Sequence, residues 1–129
     1  MSLYPVPKDI PTEVFARLPD KLRRTGQRPA WAGANMPGRD VDCFLEGPAF
    51  DRHGNLYVVN IPFGEILRIS PGGEFEVVAG TDGWPNGLKI HQDGTRYIAD
   101  YKRGILKIDP SSGAVETLVD HRWSESFRG

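Results

Sequence analysis

Cysteine is nearly absent from this chain of 129 residues: Cys43 stands alone. An internal disulfide is thereby excluded, and so is a zinc cage built from thiolates. Cys43 itself reads as a small buried hydrophobe. Apolar runs are short, and none approaches the roughly 20 residues that a membrane-spanning helix needs. The opening MSLYPVPKDI is broken by Pro5 and Pro7 and lacks the apolar stretch of a secretion signal, so the expected location is the cytoplasm. Excess charge of either sign is missing too. Sixteen basic side chains face seventeen acidic ones, and no basic run exceeds the pair Arg23-Arg24. Nothing marks an electrostatic footprint for nucleic acid, which is set aside as a partner. There is no G-x-S-x-G elbow, and Ser111-Ser112 reads as a turn, so serine nucleophilic catalysis has no support.

What the chain does contain is a repeat. Placing EGPAFDRHGNLYVVNIPFGEILRISPGGEFEVVAG above NGLKIHQDGTRYIADYKRGILKIDPSSGAVETLVD pairs Gly47 with Gly87, Gly54 with Gly94, Gly64 with Gly104 and Gly73 with Gly113, each 40 residues apart. Between the glycines lie short apolar or alternating runs. In the first copy they are residues 49–50, 56–59, 66–69 and 75–78; in the second they are 88–90, 97–99, 105–108 and 115–119. The turns His53-Gly54-Asn55, Gly72-Gly73, Asp93-Gly94 and Ser112-Gly113 supply residues that tolerate positive φ between antiparallel strands. Four strands in about 40 residues are the pattern of a β-propeller blade.

The expected fold is therefore all-β. Residues 43–82 form a first blade, 83–122 a second, and 123–129 lead into a third. Two blades cannot close a ring, so the chain reads as the N-terminal portion of a propeller whose remaining blades lie elsewhere. Residues 1–42, with six of the eleven prolines and no match to the repeat, form an N-terminal arm. Within it, residues 12–18 offer either a strand ended by Pro19, able to close a propeller ring, or the first turns of a helix capped by Thr12.

A four-stranded meander brings the start of its first strand and its second-to-third turn to one mouth. Glu46 begins the first strand of copy one, and Asn86 is its equivalent in copy two. Both are hard oxygen donors of the kind calcium or magnesium accepts. A loop carboxylate before glycine is the competing reading of Glu46, and an Asn-Gly turn that of Asn86. Asn60 and Asp100, also 40 residues apart, end the returning strands on the same rim, as ligand-side residues or as strand-end turn formers. Trp84, Phe63 and Tyr101 flank the mouth, to wall a substrate or to wedge between blades. His53, His91 and His121 share no metal-ligand spacing and are assigned no role.

With these residues on the page, residues 44–120 resemble the senescence marker protein, gluconolactonase and luciferin-regenerating-enzyme family of regucalcin-like proteins. The E-G-P-x-F start of the first repeat is similar to the family pattern that supplies the first carboxylate ligand of a single divalent cation, which falls on Glu46. The resemblance implies a six-bladed β-propeller and a metal-dependent hydrolase of lactones. Calcium is the implied cation, with magnesium, zinc or manganese as variants. The resemblance implies that Asn86, in the P-N-G opening of the second repeat, lies on the substrate side; Asn60 and Asp100, which rim the same mouth, are assigned there with it. The family's other ligands and its general base match positions beyond Gly129, so the catalytic residue has no counterpart here. By this reading the chain alone binds metal weakly and is inactive. It needs a companion chain carrying the other blades, or self-association. The alternative is a non-catalytic propeller module that binds a protein or ligand.

Overall fold

The structure is a computed structural model that describes residues 3–122 and 125–126. Eight strands form two four-stranded antiparallel sheets, each a simple meander. The first sheet contains β1 (Leu45–Phe50), β2 (Leu56–Asn60), β3 (Glu65–Ile69) and β4 (Phe75–Gly80), and the second contains β5 (Pro85–Ile90), β6 (Arg96–Asp100), β7 (Gly104–Ile108) and β8 (Val115–Val119). All eight runs expected from the repeat are strands. The first strand of each sheet starts earlier than its apolar run, because Glu46 and Asn86 lie within the strands. Two short strands, β9 (His121–Arg122) and β10 (Glu125–Ser126), pair with each other. The rest of the expected 123–129 lead lies outside the described residues.

The repeat is not perfectly regular. Asn60 pairs with Glu65, whereas its counterpart Asp100 pairs with Gly104. Gly64 and Gly104 both take left-handed φ, at 65° and 84°, and Ile66 through Ile69 then answer Ile105 through Ile108 at an offset of 39. Glu65 is thus an extra residue of the first copy.

The sheets pack head to tail. Tyr57, Val59 and Ile66 leave one face of the first sheet and cluster with Leu88, Ile98, Leu106 and Ile108 of the second. Val58, Leu67 and Ile69 leave the opposite face and cluster with Leu18 of the arm. Val58 and Ile98 are equivalent in sequence, yet one faces the arm and the other faces the joint between sheets. The residues equivalent to Tyr57, Val59, Ile66 and Arg68 are Tyr97, Ala99, Ile105 and Lys107, and they lie exposed or half-buried on the far face of the second sheet. At the joint, β1 and β5 almost touch: a Cβ at Gly47 would lie 2.7 Å from the Asn86 carbonyl oxygen.

The arm departs from expectation. Residues 12–18 form neither a strand nor a helix. Leu18 is drawn onto one face of the first sheet, where side-chain burial fixes the chain without strand pairing of residues 12–18. A 3₁₀ turn at Asp20–Leu22 and one short helix, α1 (Ala30–Asn35), follow. The helix buries Trp31 and Ala32 in the main core, with Trp31 tilted against Phe44 at 4.9 Å. No helix among the described residues is long and apolar enough to cross a membrane.

Candidate functional site

The four residues expected at the mouth divide into two kinds. Asn60 and Asp100 are buried, at 0% and 4% exposure, and both are engaged by the backbone. The Phe44 N–H donates to Asn60 Oδ1 at 3.0 Å, and the Trp84 N–H donates to Asp100 Oδ1 at 2.9 Å. In return, the Ile61 N–H donates to the Phe44 carbonyl and the Tyr101 N–H to the Trp84 carbonyl. Each side chain ties the segment entering the first strand of its sheet to the exit of the second. Asn60 Nδ2 also donates to Glu65 Oε2 at 2.9 Å. Asp100 accepts further hydrogen bonds from the N–H groups of Lys102 and Arg103 and from the Thr81 hydroxyl. A substrate would have to displace these bonds in a buried setting, where an unmet polar group costs about 1–3 kcal/mol. Asn60 and Asp100 therefore fit the role of strand-end clamps, and their reach toward a ligand is through the backbone they hold.

Glu46 and Asn86 are the other kind. Both are exposed, and each sits at a register shift in its strand pairing. Neither side chain makes a hydrogen bond or ion pair with another described residue. Asn86 is not in a tight turn: it lies in β5, so the Asn-Gly turn reading does not apply. The close approach of Gly47 to the Asn86 carbonyl brings these two strand starts side by side. Among the described residues, no group of three or more His, Cys, Asp or Glu side chains is placed to hold a metal ion. Glu46 and Asn86 are thus two oxygen donors on one rim, well short of the six to eight that calcium takes.

The aromatics form a wall at one side. Trp84 stacks on Tyr101 at 5.6 Å with 19° between the rings, and Lys102 Nζ lies 4.1 Å over the Trp84 ring. Phe63 is half-buried at the end of the 3₁₀ turn Ile61–Phe63. Ser111 and Ser112 bond to Asp109 in their turn. Cys43 is half-buried beside the second core cluster, and burial pushes its thiol up, away from thiolate chemistry.

Two polar features lay outside the sequence reading. One is the contact of Arg24 with Glu65, in which Arg24 Nε donates to Glu65 Oε1 at 3.1 Å and ties the arm to the mouth through Asn60. Its signal is the one-residue insertion. The other is Arg96, which the alternation R-Y-I-A-D places on the same face as Ile98, inside the joint between sheets.

No protein-family model matches the chain, and a search of curated proteins finds no significant relative.

Proposed function

We propose that the chain contributes two successive blades to a six-bladed β-propeller that hydrolyses lactones with the help of a divalent cation, calcium first among the candidates. Glu46 is one ligand of that cation, and Asn86 stands on the substrate side. Asn60 and Asp100 act from behind, by fixing the backbone from which Glu46 and Asn86 project. When bound, a divalent cation supplies Lewis-acid polarisation of a lactone carbonyl. The observation that carries the reading is the contrast at the rim. Glu46 is an exposed carboxylate with no partner among the described residues, beside the equivalent donor of the next sheet, while the neighbouring polar residues are spent on structure. Head-to-tail packing supports the propeller. The far face of the second sheet repeats the pattern that the first sheet buries against its neighbour, so a companion chain or further copies can continue the ring.

Calcium titration by calorimetry, run with an assay of δ-lactone hydrolysis, tests this. The chain alone is expected to bind weakly, with a Kd on the order of 10⁻³ M, and to lose that binding in Glu46→Gln. Hydrolysis is expected only when the remaining blades are supplied. Binding that is unchanged in Glu46→Gln overturns the reading in favour of a non-catalytic propeller module, for which Tyr97 and Ile105 on the far face of the second sheet offer a contact surface.

A further inference from the structure

The opposite end of the two sheets carries a second feature. β1 runs from Glu46 at the rim to Phe50, so the turn that follows lies roughly 17 Å away, at about 3.3 Å per residue. There the turns after β1 and β5 enclose a cleft of about 600 Å³, open to solvent. Arg96 lines it and is only 8% exposed. Its guanidinium lies over the Tyr57 ring at 4.7 Å, and its Nη2 donates to the Tyr57 hydroxyl at 3.2 Å. Arg96 Nε is buried with no hydrogen-bond partner, and among the described residues no carboxylate forms an ion pair with it. An arginine cannot shed its proton to escape burial, so this charge calls for an anion that the described residues do not provide.

Of the other charged groups of the cleft, only Arg52 lacks a charged or backbone partner among the described residues. Asp51 accepts from the N–H groups of His53 and Asn55. Asp93 accepts from the Thr95 N–H and lies 3.0 Å from His91 Nδ1. Arg68 is paired with Glu76, and Arg52 Nε donates to His53 Nε2. With Arg68 paired to Glu76 and both aspartates capped by backbone N–H groups, Arg52 and Arg96 are the lining cations with no carboxylate partner among the described residues. Arg52, Arg68 and Arg96 come from three different elements, a turn, β3 and β6. Donors supplied to one cleft by three elements suit the several oxygens of a tetrahedral anion better than the two coplanar oxygens of a carboxylate.

We infer that this cleft is a binding site for a small phosphate-class oxyanion, free phosphate or a phosphomonoester, anchored by Arg96 and completed by Arg52 and Arg68. It is independent of the Glu46 rim and of the lactonase reading. An oxyanion in the cleft supplies the counter-charge that the described residues do not give the Arg96 guanidinium.

The test is a titration of the chain with inorganic phosphate and, separately, methyl phosphate, followed by the ¹⁵N-resolved Arg Nε–H signals and by thermal denaturation. Chloride at matched ionic strength is the control. The expected result is a saturable shift of the Arg96 Nε–H signal and a phosphate-specific rise in Tm. Tighter binding of methyl phosphate assigns a phosphomonoester; tighter binding of inorganic phosphate assigns the free ion. Arg52→Gln and Arg68→Gln, both away from the core, are each expected to weaken binding about tenfold, the loss of one charge-assisted hydrogen bond. Arg96→Met is expected to abolish it. Because Arg96→Met can also fail to fold, the wild-type signal and the two outer variants decide by themselves. Shifts reproduced by chloride, or affinity unchanged in both outer variants, overturn the proposal.

Discussion

Asn60 and Asp100 occupy the same place in the two sheets and do the same work: each Oδ1 accepts the backbone N–H of the aromatic residue sixteen positions earlier, Phe44 at 3.0 Å and Trp84 at 2.9 Å. One is an amide and the other a carboxylate, because their outward neighbours differ. Asn60 must donate to Glu65, whereas Asp100 must accept from Thr81.

Substitution should expose that difference. Asp100→Asn keeps the Oδ1 acceptor and is expected to lose about 1 kcal/mol, while Asp100→Ala strands the Trp84 N–H and loses about 2–3 kcal/mol. Asn60→Asp sets a second carboxylate against Glu65 and is expected to be worse than Asp100→Asn. Urea denaturation of the three variants checks the order.

At the joint between sheets, Gly47→Ala and Gly87→Ala should part company. Gly47 has φ 59°, and an added Cβ would lie 2.7 Å from the Asn86 oxygen and 2.9 Å from the Leu88 nitrogen. A Cβ at Gly87 would meet only Ala99 Cβ, at 3.6 Å. Gly47→Ala is expected to cost about 2 kcal/mol or more from backbone strain and the clash, and Gly87→Ala to stay within about 1 kcal/mol of the parent. Thermal melts read the contrast.

The arm should loosen when its anchor is cut. Arg24→Ala leaves Glu65 largely buried without its cation, and a loss of about 1–3 kcal/mol is expected, held down by the partial exposure of Arg24. Glu65→Gln keeps an acceptor and loses less. Amide exchange of Met36, whose N–H donates to the Ala32 carbonyl in α1, should accelerate most in Arg24→Ala.

Acid should reveal the turn after β5. Hydrogen bonding from the Thr95 N–H, then from its side chain and from His91, holds the Asp93 carboxyl down at about 2, against an ordinary 3.8. Its folded value lies below its unfolded one, so its contribution is fully present above about 3.8 and is lost as pH falls to about 2. Asp93→Asn is expected to flatten the fall of Tm between pH 4 and pH 2. An unchanged slope there would remove the carboxyl from the acid response.

The sequence alone determined the eight strands, their antiparallel order and the division into two sheets. Period-2 patterning and positive-φ glycines at a fixed spacing are local signals, readable without knowing what the strands pack against. It also brought Glu46 and Asn86 to matching positions, since a register of 40 residues is a property of the chain itself. Tertiary structure decided the rest. Which face of each sheet is buried depended on the neighbour it met, so Val58 and Ile98, equivalent in the repeat, face different partners. Residues 12–18 became neither strand nor helix because a sheet face captured Leu18 through its side chain. Asn60 and Asp100 became buried clamps, and Arg96 became a buried cation without a counter-charge among the described residues, because hydrogen-bond partners and burial are set by residues distant in sequence.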